Sequence, residues 1–202
     1  MIRIDIEKSL PGDQLLRVNE EIPAGSIVKI YGPSGAGKTT LLKTIAGLVS
    51  ADQGFIQVDN SIWLDTSKKI SLSPQKRQPG FVFQNYALFP NMTVLQHLQY
   101  ATTDEAWIQT LLKLGKLESL TDRKPDHLSG GQQQRLAILR ALAIKPRILL
   151  MDEPFSALDP EMKSVLIEDL RKVFTQLGCT VFIVSHNVYE LEGLADQEIY
   201  IK

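Results

Sequence analysis

The stretch GPSGAGKT at 32–39 restricts the fold of this chain more than any other feature. It fits G-x-x-x-x-G-K-[ST] and lies between an apolar, strand-like SIVKIY and a helix-patterned KTTLLKTIAGL that closes at Gly47, a C-cap position. Strand, glycine loop and helix in that order demand a β-α unit with its loop at the carboxyl edge of a sheet. Gly32, Gly35 and Gly37 let the backbone turn so that successive N–H groups face one concavity, with Pro33, Ser34 and Ala36 completing the loop. Phosphate oxygens accept such donors at the positive end of the following helix. Lys38 adds a point charge at the β- and γ-phosphates, and the Thr39 hydroxyl, with Thr40 beside it, suits Mg²⁺. The plain alternative is a glycine-rich turn without a ligand.

The rest of the chain alternates strands with helices. Ile2, Ile4 and Ile6 alternate with polar residues, and SIVKIYG and GFIQVD add two more short strands. FVFQ at 81–84 reads as a strand, and 93–120 has helix-period apolar residues that suggest a small helical insertion. Then come the glycine-opened helix LSGGQQQRLAILRAL, the apolar strand RILLMD, a helix over 160–177 and the strand TVFIVS. Strands apolar on both faces argue for an α/β fold whose mostly parallel sheet is covered on both sides.

At 202 residues the chain suits one domain, and 44% hydrophobic with 22% charged residues is ordinary for a globular protein. A net charge of -1 and a pI near 6.3, without a Lys/Arg stripe, give no footprint for a nucleic-acid backbone. The single cysteine, Cys179, lies in an apolar β-branched run and reads as inert core. The opening MIRIDIEKSL lacks the pattern of a secretory signal, and no long apolar run suggests a membrane span, so a cytosolic chain is expected.

Two further clusters carry chemistry. RILLMDEP ends a strand with adjacent carboxylates, where Asp152 can hold Mg²⁺ and Glu153 can polarise a water for attack on a γ-phosphate. LSGGQ, with Leu128, Ser129, Gly130, Gly131 and Gln132, starts a helix with a capping box around two glycines. Each glycine costs about 1 kcal/mol against alanine in a helix. Bare amides and a hydroxyl at a helix start suit a second contact with a phosphate. Since the first loop already surrounds the α- and β-phosphates, that contact belongs to another copy of the chain.

The phosphate loop, LSGGQ, ILLMDEP, SALD and a late SH, in this order over the whole chain, resemble the nucleotide-binding subunits of ABC transporters. The resemblance implies a P-loop NTPase of ABC type: a mostly parallel sheet core, an N-terminal antiparallel β subdomain and a small helical subdomain. The expected division is a core of 1–84 and 146–202 with a helical signature part at about 90–145. It further implies that Gln84 contacts Mg²⁺ and the attacking water, that Ser156 and Asp159 lie across a dimer interface, and that His186 touches the γ-phosphate. His97 and His127 match nothing and read as structural.

The implied activity is ATP hydrolysis with Mg²⁺ by a homodimer, or a pair with a second ABC subunit, on the inner face of the cell membrane. It would drive an integral permease, meet a solute-binding protein only indirectly, and bind no nucleic acid. The stretch from LSPQKRQPGFVFQ to LQHLQYA is most similar to molybdate, sulfate and polyamine importer ATPases, molybdate first, and Tyr86, Phe89 and Met92 are candidates for a groove that receives a permease helix, or else core. An exporter subunit and a soluble ABC ATPase of DNA repair or translation are the alternatives. The latter is disfavoured by the absence of a long coiled-coil insertion or a second ATPase module. A non-hydrolysing regulator is disfavoured by Glu153, Gln84 and His186, and a GTPase by the absence of N-K-x-D.

Two departures stand out. Residues 1–30 contain no aromatic residue to stack on adenine, and by spacing Ser9 or Leu10 takes its place. The chain stops at EIYIK, soon after His186, with no room for the C-terminal β-rich regulatory domain of many importer ATPases. A minimal ATPase, or a fragment cut to it, is the expectation.

Overall fold

Two five-stranded sheets organise the chain in the computed structural model, which describes residues 1–186, 191 and 193–202. The first is antiparallel and runs in the order β2 (Gln14–Ile22), β1 (Ile2–Leu10), β4 (Gln53–Val58), β5 (Ser61–Asp65), β6 (Ile70–Ser71). Ile2, Ile4 and Ile6 of β1 share one face with Leu16, Val18 and Ile22 of β2, all buried, while the intervening polar residues face out. The hairpin between them turns with Gly12 and Asp13 at φ 77° and 57°. The sequence reading names β1, β4 and the strand that follows β2, but not β2, β5 or β6.

The second sheet is parallel throughout, in the order β10 (Gln197–Tyr200), β3 (Ile27–Tyr31), β9 (Thr180–Val184), β8 (Ile148–Asp152), β7 (Gly80–Val82). Its side chains alternate between two cores. Leu149, Met151, Val181 and Ile183 pack with α3 (Val94–Ala101), α4 (Glu105–Gly115), α5 (Gly130–Ala143) and α6 (Pro160–Leu177). Ile148, Leu150, Phe182 and Val184 pack with α1 (Lys38–Ala46) and the antiparallel sheet. That double burial is why the strands read as continuous apolar runs. β7 ends at Val82, so Phe83 and Gln84 have already left the strand expected over 81–84.

Buried cations and one histidine fasten the irregular segments. Arg77, in the short α2 (Pro74–Arg77), donates to the carbonyls of Thr44, Ile45, Leu72 and Trp63 and so closes the C-terminal end of α1. His97 is fully buried: its Nδ1–H donates to the Thr93 carbonyl (2.7 Å) and its Nε2 accepts from the Phe89 N–H (2.9 Å). Those partners require the neutral ring, and burial lowers its pKa accordingly. Cys179 is buried beside β9, where burial pushes its thiol up to about 12. Among the described residues no helix is long and apolar enough to cross a membrane.

Candidate functional site

The loop after β3 is shaped from both sides. At Gly32, φ 151°, a Cβ would overlap the carbonyl oxygen of Ile201, so this glycine is required by the backbone running on from β10 as well as by any ligand. Gly35 and Gly37 have φ 83° and 98°, the left-handed region that favours glycine. Gly37 is also the N-cap of α1 and supplies no side-chain bond, so the first-turn amides of α1 have no side-chain cap.

Lys38 is buried inside the loop and donates from Nζ to the carbonyls of Gly32 (2.8 Å) and Pro33 (2.7 Å). Burial lowers its pKa, opposed by the charges of Glu153 and Asp152. The Thr39 hydroxyl donates to Asp152 Oδ2 at 2.8 Å. Asp152 Oδ1 is buried and, among the described residues, the side-chain polar atom without a hydrogen-bond partner. Burial raises the Asp152 pKa; the Thr39 hydrogen bond opposes this and the neighbouring Glu153 charge adds to it. A buried acceptor left unmet costs about 1–3 kcal/mol. A hard cation between this oxygen and the Thr39 hydroxyl would satisfy it, so the donor set fits Mg²⁺.

Glu153 follows at φ 51°, a left-handed backbone that costs a non-glycine residue about 1–2 kcal/mol. Its N–H donates to the Val184 carbonyl at 3.1 Å, and its Oε1 lies 2.6 Å from His186 Nε2. A cavity of about 260 Å³ brings together Lys38, Thr39 and Thr40 with Gln84, Glu153 and His186. Parts of the chain far apart in sequence thus converge on the open end of α1.

The 128–132 segment does not line that cavity. Ser129 caps α5 through the Gln132 N–H (3.3 Å), and the Gln132 side chain accepts from the Ser129 N–H (2.8 Å), the expected capping box. Leu128 is buried. Of the glycine pair, Gly131 is the more crowded within the chain: a Cβ there would lie 3.2 Å from the Ala157 carbonyl oxygen, whereas one on Gly130 would make only an ordinary 3.8 Å contact with the Ala157 Cβ. Ser156 donates to the Glu153 carbonyl, and Asp159 caps α6 through the Met162 N–H.

Three residues were not singled out in the sequence. Gln134, fully buried, bonds to Glu153, Ser156 and Ala157. Arg140 donates to the carbonyls of Tyr86 and Ala87, two residues at positive φ, and stacks over the Phe89 ring. Arg135 reaches the Gly115 carbonyl and ties α5 to α4. The helical period offered one signal for Gln134, which lies on the same face of α5 as Ile138 and Ala141.

An apolar groove of about 550 Å³ opens nearby, lined by Phe81, Phe83, Phe89, Tyr100, Arg140 and Ile144 among others. Of the aromatics and methionine expected to form a groove, Phe89 lines it, whereas Tyr86 packs against the core and Met92 lines neither. At the other end of the loop, Leu10 rather than Ser9 covers the phosphate-loop glycine. Its Cδ1 is 2.8 Å from where a Cβ on Gly37 would be, while the Ser9 N–H is engaged with Asp52.

Comparison with known proteins matches the ABC transporter family over residues 15–156. The molybdenum import ATP-binding protein ModC of Haemophilus ducreyi is 42% identical over 204 residues, covering all of this chain and 58% of that protein. A probable sulfate/thiosulfate import ATP-binding protein CysA of Chlorella vulgaris is 41% identical over 92% of this chain and 80% of its own length. The ATP-binding cassette MJ0796, in a dimeric post-hydrolysis state bound to ADP and Pi, matches with a TM-score of 0.83 and 34% identity over 100% of this chain and 94% of its own. The chain spans a little over half the length of the ModC relatives it matches.

Proposed function

Since this chain belongs to the ABC transporter family and has the fold of its ATPase cassettes, we propose that it is the ATP-binding part of a solute importer. In this reading it hydrolyses ATP between two head-to-tail copies. The observation that carries the reading is the convergence of Lys38, Thr39, Gln84, Glu153 and His186 on the uncapped end of α1. The amides of the 32–39 loop receive the phosphates. Lys38 exchanges its carbonyl partners for the β- and γ-phosphate oxygens, and Thr39, Asp152 and Gln84 would hold Mg²⁺. The bound ion supplies charge neutralisation of those oxygens.

Glu153 takes a proton from the attacking water as the water oxygen bonds to the γ-phosphorus and the bond to ADP breaks. His186 now occupies Oε1 of that carboxylate; turning to the γ-phosphate would free the oxygen for water. The 128–132 helix start lies outside this chain's cavity, and we assign it to the γ-phosphate held by a partner copy, with Ser156 and Asp159 at the interface. The dimeric state of the MJ0796 cassette supports that arrangement. The groove beside Phe89 receives the permease on the inner face of the membrane, and a solute-binding protein would meet only the permease. Molybdate is the first solute to test, and sulfate is the second, because relatives named for each are 42% and 41% identical.

The test is Mg²⁺-dependent phosphate release by the wild type, with Lys38→Ala as the inactive control. Glu153→Gln keeps the shape of the site and loses its basicity, so it should bind ATP, lose about 10²–10⁴-fold in rate and sediment as a dimer with ATP. A Glu153→Gln protein that stays monomeric at saturating ATP and tens-of-micromolar concentration would overturn the composite site.

A further inference from the structure

Three consecutive glutamines follow the glycine pair at the start of α5, and the helix sends them in three directions. Gln132 closes the capping box, and Gln133 donates to the carbonyls of Pro125 (2.8 Å) and Leu128 (3.1 Å). Gln134 turns inward and is completely buried. Its Nε2 donates to the Glu153 carbonyl at 3.1 Å and to Ser156 Oγ at 3.2 Å, and its Oε1 accepts from the Ala157 N–H at 3.0 Å. The amide orientation follows from its partners: a flip would set oxygen against the Glu153 carbonyl and N–H against the Ala157 N–H.

We propose that Gln134 is a positioning residue that fixes the backbone of Glu153 from the helix bearing the 128–132 segment, so that the base is aligned only when that helix is seated. The inference rests on the reading of Glu153 as the base. Glu153 is held at φ 51° by two anchors: its N–H on the Val184 carbonyl of β9, and its carbonyl on Gln134 and the Ser156 hydroxyl. The first anchor belongs to the parallel sheet; of the carbonyl's donors Gln134 belongs to α5, and Ser156, whose N–H also approaches at 3.4 Å, to the turn that follows Glu153. Gln134 lies five residues beyond Ser129, roughly 7–8 Å along the axis. Between them Gly131 lets the Ala157 carbonyl come within 3.2 Å of where its Cβ would be. The segment 153–157 is thereby registered on α5 at two points, and a shift of the helix start as it takes a phosphate is passed to the peptide that carries the base.

Two variants test this. Gln134→Met keeps the length and removes all three hydrogen bonds; Gln134→Glu, assayed at alkaline pH where the buried carboxyl is ionised, keeps an acceptor for the Ala157 N–H and removes the donor to the Glu153 carbonyl. Both should lower kcat at least tenfold while KM and the ATP Kd stay within twofold. In a Glu153→Gln background neither should lower the residual rate further, because the group being positioned is gone. Hydrogen exchange at the Ala157 amide should quicken in Gln134→Met and not in Gln134→Glu, with the 32–39 amides unchanged in both. If Gln134→Met does not fold, Gln134→Glu decides. An active wild type with kcat within twofold in the folded variants, a loss that is fully additive with Glu153→Gln, or unchanged exchange at Ala157 in Gln134→Met overturns the inference alone. A wild type without Lys38-dependent phosphate release overturns the functional reading and this inference with it.

Discussion

Both α1 and α5 have glycine at their starts, Gly37 as the N-cap of α1 and Gly130 and Gly131 in the first turn of α5, and the two starts differ in chemistry. α1 begins at Gly37 with no side-chain cap, and its first turn faces a cavity holding Lys38, Glu153 and His186. α5 has Ser129 as its N-cap, and its capping box engages the Ser129 and Gln132 N–H groups and the Ser129 hydroxyl. A helix end without a side-chain cap takes an anion with nothing to displace, whereas a capped end must share or exchange its partners first. On the proposed composite site the contrast implies an order to be tested: ATP would bind first at α1 of one chain, and α5 of another would engage afterwards.

The largest effect should come from forcing the two ends apart. Ser129→Arg places a long side chain where the partner's phosphate would approach and leaves the loop at 32–39 untouched. Hydrolysis should fall at least a hundredfold, about 2.7 kcal/mol of transition-state stabilisation, with nucleotide binding unchanged. Titration with a fluorescent ATP analogue checks the division; loss of the first binding step would mean that α5 takes part in it after all.

A smaller effect follows from the unmet oxygen beside α1. Asp152→Asn removes a buried charge, so the metal-free protein should become more stable at pH 7 while Mg²⁺-dependent hydrolysis is lost. The sign follows from the raised Asp152 pKa. The folded state favours the protonated acid, so that contribution is full below the unfolded carboxyl pKa and is lost as pH rises through the higher folded value. The advantage of Asn should therefore shrink toward acid pH and be complete only above the raised folded pKa. Thermal unfolding without Mg²⁺ at several pH values measures it, and an Asn variant less stable than wild type at pH 7 would show that Asp152 has a partner there.

The α1 end was legible in the sequence because its chemistry is local: a strand, a glycine loop and a helix follow one another within 27–46. The bounds of α6, β8 and β9 were equally plain, since their apolar periods are long and uninterrupted. What escaped was set by distant partners. β2 carries Leu16, Val18 and Ile22 among charges and is fixed by pairing with β1, and β6 is two residues long. Gln134 hid in a polar run, because QQQ reads as a solvated face until the helix turns one of the three toward 153–157. Gly32 and Gly131 read as ligand glycines, yet Gly32 is also required by the Ile201 carbonyl oxygen, and Gly131 lies close against that of Ala157.

The smallest effect concerns the base that the α1 end must tolerate. On the proposed function the loop would carry the phosphate recognition, whereas the strand end that covers Gly37 offers the aliphatic Leu10 and no ring. Stacking is worth about 1–3 kcal/mol per base where it has been removed by substitution, and it separates one base from another poorly. Affinity for ATP should then rest mainly on the phosphates, and GTP should be hydrolysed with an efficiency within roughly tenfold of ATP, a gap of about 1.4 kcal/mol. Leu10→Tyr should tighten ATP and GTP alike if residue 10 lies against the base, and leave both unchanged if it only packs on the loop. The measurement is kcat/KM for both nucleotides on wild type and variant. A wild-type preference for ATP above a hundredfold would mean that hydrogen bonds from residues outside β1 read the adenine edge, and the contrast between a discriminating phosphate loop and an indifferent base site would be lost.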